Sequence, residues 1–199
     1  MKTEYTIIRR KVKHARISVS PELVVKVVVP LRYGERELLR LIDEKESWII
    51  KTLAHFRELG ARRIALETNE ILYLGKPIAR PFESGNTQAS LEAWYKHEAK
   101  RTISARVAVF ASYYGFIYNK IIIRGSKTRW GTCSIKKNVA FNWRLIKAPA
   151  DIIDYVILHE LTHTVVFDHS KRFWDRLAMS YPNHKAAKQW LKDHGPGLY

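Results

Sequence analysis

One stretch of the sequence, ADIIDYVILHELTHTVVF at 150–167, constrains the fold more strongly than any other. The stretch is expected to be helical, and DYVILHEL within it is strongly apolar, which predicts a helix buried in the core. This helix would carry His159, Glu160 and His163 into apolar surroundings, where unpaired polar groups are costly to desolvate. We therefore expect a bound metal ion to satisfy these side chains together. The alternative is that they are core residues satisfied by the protein itself.

The spacing of the two histidines suits a single metal ion. Positions i and i+4 of a helix lie on one face, one turn apart, so His159 and His163 can direct their imidazoles at the same point. Glu160 projects from a neighbouring angle and can reach a water on the ion without being a ligand. Imidazole suits zinc, and a catalytic zinc site has three protein ligands and one open position. The sequence therefore predicts one zinc ion per chain.

The third ligand has to come from outside the H-E-x-x-H motif. His169 follows His159 by ten residues, so the helix has to end near Val166 or Phe167 and the chain has to turn back. Neutral imidazole is a common zinc ligand, which favours His169. The alternatives for the third ligand are Asp168, Asp175 and His184.

The charge of the chain is strongly positive, with 35 Lys and Arg against 19 Asp and Glu and a net charge of +16. Such an excess attracts polyanions, so DNA is a possible partner, although no base-reading module is recognisable. The alternative is a solvated basic surface without a dedicated partner. The candidate residues for a polyanion surface are Arg9, Arg10, Lys11, Lys13, Arg16, Arg124, Lys127, Lys136 and Lys137.

The cysteine content and the apolar stretches indicate the compartment. Cys133 is the only cysteine, so an intramolecular disulfide is impossible and a disulfide-stapled secreted fold is excluded. The amino-terminal stretch is charged throughout and lacks the apolar core of a signal peptide. The apolar stretches are far shorter than a membrane span. We therefore expect a cytoplasmic protein with no membrane partner.

The order of elements is mixed and predicts an α+β fold. Three short β-branched segments near the amino terminus predict a β-meander, and the spacing over 35–59 predicts a long amphipathic helix. A second hairpin is expected to turn at Gly75–Lys76, and 84–88 is the best linker candidate. We accordingly predict an amino-terminal β-rich region at 1–84 and a second region at 89–199, packed together as one compact unit.

Four motifs in the second region give a resemblance to a known family. In chain order they are RWGTCS (129–134), NWRL (142–145), HELTH (159–163) and HSKRFW (169–174). Together they resemble the YgjP-like family of zinc metallopeptidases, which is related to the SprT-like and WLM proteases. The resemblance implies a zincin-like catalytic region with a β-sheet and an H-E-x-x-H helix. It also implies His159, His163 and His169 as ligands and Glu160 as the catalytic carboxylate.

The expected activity is hydrolysis of a peptide or protein substrate by a water that zinc activates, with Glu160 as general base. Zinc peptidases of this design hold an extended peptide along an edge strand, and RWGTCS or AFNWRL is a candidate for that strand. We place Arg129, Trp130 and Asn142 at the substrate, although Trp130 also suits a core position. The alternatives are a metal-dependent UTP pyrophosphatase and a basic nucleic-acid-associated protein with an auxiliary zinc site.

Overall fold

The protein is described by a computed structural model covering residues 5–20, 23–61, 67, 69–81, 87–126 and 128–199. Its mixture of helices and strands confirms the predicted α+β class. The chain divides into two compact units, residues 1–63 and residues 64–199. The predicted division at 84–89, with both regions packed as one unit, stays a prediction, and residues 84–86 of the linker candidate lie outside the described residues. None of the helices in the described ranges has the length and apolar character needed to span a bilayer.

In the part of the first unit that the structure describes, the chain forms a three-stranded sheet and one long helix. Its elements are β1 (Tyr5–Arg10), β2 (Arg16–Val19), β3 (Val25–Pro30) and α1 (Glu35–Ala61). The strand order is β1-β3-β2, with β3 parallel to β1 and antiparallel to β2. The predicted β-meander is therefore wrong in its strand order. The reason is that β3 is a nearly continuous run of valines, which suits the central position, whereas the more basic β1 and β2 suit the edges.

The core of the first unit lies between β3 and α1. Val25, Val27 and Val29 alternate along β3 and are fully buried. They pack in clusters that include Leu38 and Ile49 from α1. The amphipathic spacing thus identified the helix, which extends two residues beyond the predicted end at 59.

Among its described residues, the second unit contains a hairpin, a three-stranded sheet and four α-helices. Its elements are β4 (Glu70–Tyr73), β5 (Lys76–Ala79), α2 (Gln88–Tyr114), β6 (Ile121–Arg124), β7 (Gly131–Cys133), β8 (Val139–Asn142), α3 (Ala150–Thr162), α4 (Lys171–Ser180) and α5 (His184–His194), with 3₁₀ helices at Trp143–Lys147 and Gly195–Leu198. The pairing of β4 with β5 confirms the predicted hairpin, but its turn is formed by Leu74 and Gly75, one residue earlier than predicted, and Lys76 already belongs to β5.

The sheet of this unit has the order β6-β8-β7, so β7 lies at an edge and β8 in the centre. All four residues of β8 are buried, whereas those of β7 are half-buried. Of the two stretches considered for the edge strand, RWGTCS contains β7, whereas AFNWRL begins with the last three residues of the central, buried β8 and is not an edge. The NWRL motif does not continue as a strand, because the Asn142 side chain accepts a hydrogen bond from Arg144 N and begins a 3₁₀ helix.

Helix α3 is the centre of the second unit. Ile153, Ile157, Leu158 and Leu161 are almost completely buried, and α3 packs against α2, α4, α5 and β7. A helix that is apolar around most of its circumference has to be enclosed in this way. The polar residues near its carboxyl end are consequently held by a rigid, close-packed element.

Candidate metal centre

Three histidine side chains converge where α3 ends. His159 lies in the last turn of α3, His163 follows the helix directly, and His169 comes from the loop before α4. The Nε2 atom of His169 lies 3.1 Å from Nε2 of His159 and 3.2 Å from Nε2 of His163. Among the imidazole, thiol and carboxylate groups of the described ranges, these three histidines lie close enough together to hold one metal ion.

The imidazoles of His159 and His163 are in the neutral form, in which a ring nitrogen can bind a cation. Nδ1 of His163 donates a hydrogen bond to the carbonyl oxygen of Val166 at 3.0 Å, so Nε2 carries the lone pair. Burial lowers the pKa of His159 to about 3 and also lowers the pKa of His163. Both imidazoles are therefore neutral near pH 7, which is the form that binds metals.

The spacing of the nitrogens fits a tetrahedral ion. Two imidazole nitrogens that bind zinc at 2.0–2.1 Å in tetrahedral geometry lie about 3.3 Å apart. The observed separations of 3.1 and 3.2 Å are close to this value. Three nitrogen lone pairs directed at one point repel one another unless a cation lies between them. The residues present therefore fit a bound metal ion.

Helix α4 supports the cluster with two aromatic side chains. The ring of the fully buried Phe173 lies 4.4–4.9 Å from the rings of all three histidines. Trp174 stacks on His169, and its Nε1 donates to the His169 carbonyl oxygen at 3.0 Å. Sequence reasoning assigned no role to either aromatic residue, although both belong to the HSKRFW motif and follow His169 by four and five residues.

The rival third ligands lie in other environments. The carboxylate of Asp168 accepts a hydrogen bond from Ser170 N at 3.1 Å. Asp175 is exposed and forms an ion pair with Lys171 at 2.7 Å. His184 is the first residue of α5, and its ring stacks on that of Trp174 in α4. Among the described residues, the histidine cluster includes none of these three side chains.

Glu160 is buried against the edge strand β7. The side chain is 6% exposed, and a Cβ added to Gly131 would lie 2.5 Å from its Oε1. Burial raises the pKa of Glu160 to about 8, and the positive charge of Arg129 opposes this rise. Burial and the charge of Glu160 together raise the pKa of Cys133, two residues along β7, to about 11. A carboxylate that favours the protonated state is a better proton acceptor than one in water.

The three residues predicted to contact substrate lie in one region, next to β7. Arg129 is exposed and close enough to Glu160 to influence its pKa. Trp130 is half-buried and packs against Tyr199, with ring centroids 5.2 Å apart. Asn142 is 1% exposed, and its amide nitrogen donates to the Arg129 carbonyl at 3.2 Å and to the Tyr199 hydroxyl at 3.2 Å. A contribution of Asn142 to substrate binding would thus act through the segments that it holds.

The basic residues proposed for a polyanion surface are distributed over both units. Arg9, Arg10, Lys11, Lys13 and Arg16 belong to the first unit, whereas Arg124, Lys136 and Lys137 belong to the second, and Lys127 lies outside the described residues. Binding of DNA to these residues stays a prediction.

Two solved metallopeptidase zymogens are similar to part of this structure. The structure is similar to the crystal structure of the metallopeptidase zymogen of Pyrococcus abyssi abylysin, with 18% identity, a TM-score of 0.42 and coverage of 45% of this chain and 92% of that chain. For the metallopeptidase zymogen of Methanocaldococcus jannaschii jannalysin the identity is 22% and the TM-score 0.40, with coverage of 45% and 91%. No curated protein matches the chain.

The family profile matches almost the whole chain. The profile described as "YgjP-like, metallopeptidase domain" covers residues 13–88 and 80–194, which include the histidine cluster, Glu160 and β7. This match confirms the resemblance expected from the four motifs. The chain therefore belongs to the YgjP-like metallopeptidase domain family.

Proposed function

We propose that this protein is a zinc-dependent peptidase with His159, His163 and His169 as ligands and Glu160 as general base. The observation that carries the proposal is the convergence of three Nε2 atoms, with that of His169 lying 3.1 and 3.2 Å from the other two, next to the buried carboxylate of Glu160 at a sheet edge. Membership of a metallopeptidase family supports the reaction class.

The histidines hold the ion through neutral imidazoles that the fold keeps in place. Burial disfavours their protonation, and the rings pack against Phe173, so little reorganisation is needed when the ion binds. When bound, zinc supplies Lewis acidity, which polarises a carbonyl and lowers the pKa of a water molecule toward about 7.

Glu160 moves the proton. Its carboxylate accepts a proton from the attacking water and then delivers it to the amine that leaves. Its surroundings suit both steps, because burial makes the carboxylate basic while the positive charge of Arg129 opposes the rise in its pKa. The close contact with β7 fixes the carboxylate in position, as proton transfer requires hydrogen-bonding distance to the reacting atoms.

Strand β7 offers a binding surface for an extended peptide. Asn142 N on β8 donates to Trp130 O at 2.8 Å, so the backbone groups of residue 130 face β8. In an antiparallel pair only every second residue bonds to the partner strand. The N–H and C=O groups of Gly131 and Cys133 therefore point to the open side of the edge. A peptide that adds as a further strand would bring a scissile bond alongside Glu160.

The test combines metal analysis with hydrolysis. Purified protein is analysed for metal and then incubated with casein as an unstructured protein, and separately with UTP. Wild type is expected to contain about one zinc per chain and to cleave casein. Glu160→Gln is expected to keep the zinc and to lose hydrolysis by about 10² to 10⁴-fold, the usual contribution of a positioned base.

The matched control is Glu44→Gln, the same substitution at an exposed residue of α1. This variant is expected to cleave casein at the wild-type rate. Full casein cleavage by Glu160→Gln would refute the assignment of the base. Hydrolysis of UTP without cleavage of casein would refute the peptidase and support a nucleotide hydrolase. Wild-type protein without bound metal, and unable to bind added zinc, would refute the metal site.

A further inference from the structure

Gly131 leaves an unusually small space between β7 and Glu160. An ideal Cβ built on Gly131 would lie 2.5 Å from both Cγ and Oε1 of Glu160, and 2.7 Å from Cδ. Distances this short leave no room for a methyl group, because carbon atoms in contact lie about 3.5–4.0 Å apart. The side chain of Glu160 thus occupies the space that any side chain at position 131 would need.

The backbone of Gly131 does not itself require glycine. Its φ angle lies outside the left-handed region, where Gly75 and Gly115 are found. Alanine is sterically allowed in such a conformation and normally costs nothing there. The requirement for glycine at this position therefore arises from Glu160.

The strand cannot move away to admit a side chain without breaking several hydrogen bonds. Gly131 pairs with Phe141 in the ladder, and Asn142 N bonds the preceding Trp130 O at 2.8 Å. The Asn142 side chain also donates to Arg129 O at 3.2 Å. A carboxylate on rotatable bonds is easier to displace than a strand whose two preceding residues, Arg129 and Trp130, are both hydrogen-bonded to Asn142, so a methyl group at 131 would displace Glu160.

We propose that Gly131 is a positioning residue for Glu160, which provides the slot that holds the carboxylate beside the histidine cluster. This inference rests on the proposed hydrolytic function. It predicts that Gly131→Ala retains the metal, because the slot holds the carboxylate and not the three imidazoles. It also predicts that the variant loses the chemical step and not substrate binding.

The experiment is a double-mutant cycle of Gly131→Ala, Glu160→Ala and the combined variant. Each protein is measured for zinc content, for kcat and KM on a fluorogenic casein substrate, and for the thermal unfolding midpoint with and without zinc. The matched control is Gly34→Ala, at an exposed glycine with φ outside the left-handed region. There the new Cβ would lie 3.4 Å from Glu37 Oε2, which is ordinary contact.

The expected result is a Gly131→Ala protein with about one zinc per chain, a kcat at least about 100-fold lower and a KM within about twofold of wild type. Thermal unfolding should occur several degrees lower than in wild type. In the Glu160→Ala background the same substitution should lower neither the midpoint nor the remaining activity, because the carboxylate is absent. Gly34→Ala should match wild type in activity.

Several outcomes would overturn the inference. Wild-type kcat in Gly131→Ala would do so, as would an equal loss of thermal stability with and without Glu160. If Gly131→Ala does not fold, folding of the combined variant supports the contact, and failure of both refutes it. If wild type hydrolyses nothing, the proposed function fails, whereas the unfolding midpoints still decide whether Gly131 and Glu160 are coupled.

Discussion

Because of the charge on Lys147, we expect the free energy of unfolding of this protein to increase as the pH rises above 8. Its side chain is largely buried, donates to the carbonyl oxygen of Leu198 at 3.0 Å and lies over the rings of Tyr95 and Trp143. Burial, with a smaller contribution from the positive charge of Arg144, lowers the pKa of Lys147 from 10.5 to about 8. In the unfolded chain we expect the ordinary pKa, so the two states bind the proton differently between pH 8 and 10.5.

The direction of the effect follows from which state holds more protons. Below pH 8 both states are protonated, and the folded state carries the cost of a buried charge. As the pH rises from 8 to 10.5 the folded state loses the proton and the unfolded state keeps it, so the free energy of unfolding increases. The difference between 10.5 and about 8 corresponds to about 3 kcal/mol, at about 1.4 kcal/mol for each pH unit.

The perturbation is Lys147→Met, which keeps an unbranched side chain and removes the charge. Urea unfolding of wild type and variant is measured from pH 7 to 10.5. Groups such as Tyr155, whose pKa burial raises to about 12, titrate in both proteins, so their contributions cancel in the difference. Relative to the variant, wild type should gain about 3 kcal/mol over this range. Parallel curves for the two proteins, or a relative loss by wild type, would refute this reasoning.

Three further predictions concern the metal centre, the segment before β7 and the β4–β5 turn. His169→Ala should remove bound zinc, whereas Asp175→Ala should retain it, as measured by elemental analysis; the reverse pattern would assign the third ligand to the carboxylate. Asn142→Ala should lower the free energy of unfolding by about 2 to 4 kcal/mol, because buried partners lose their hydrogen bonds; a loss below about 1 kcal/mol in urea titration would contradict this. Gly75→Ala should cost at least about 2 kcal/mol, since φ is +78° and the new Cβ would lie 2.9 Å from Cα of Pro149; an unchanged thermal midpoint would show that the turn adapts.

Local patterns in the sequence predicted the helices and the histidine pair, although α3 ends at Thr162 and not near Val166 or Phe167 as predicted. The amphipathic spacing of apolar residues in α1 and the i, i+4 spacing of His159 and His163 are properties of a single helix. They can therefore be predicted without knowing what packs against that helix. His169 was predicted to join them on the basis of ligand chemistry, and the structure places its Nε2 beside theirs. Its role as a ligand is a proposal that the zinc measurements test.

Features that depend on distant parts of the chain were harder to predict. The order β1-β3-β2 follows from β3 being the most completely buried of the three strands. The order of the strands along the sequence does not reveal which of them lies in the centre of the sheet. The same holds for the edge position of β7 and for the contact of Gly131 with Glu160, which are 29 residues apart. A glycine within a strand indicates a close approach of some kind, but only the assembled fold identifies the neighbour.

The packing of residues 195–199 has a consequence for the order in which the protein matures during synthesis. Gly195 and Tyr199 pack on Trp130, and the Tyr199 hydroxyl accepts a hydrogen bond from Asn142, so these late residues complete the support of the strand beside Glu160. Units of a chain fold as they emerge from the ribosome, the amino-terminal one first. The sheet of the first unit can therefore form early, whereas these contacts beside the strand that packs on Glu160 form only after residue 199 has emerged. A nascent chain stalled before that point would carry its three clustered histidines, but the strand beside Glu160 would lack the packing of Tyr199 on Trp130.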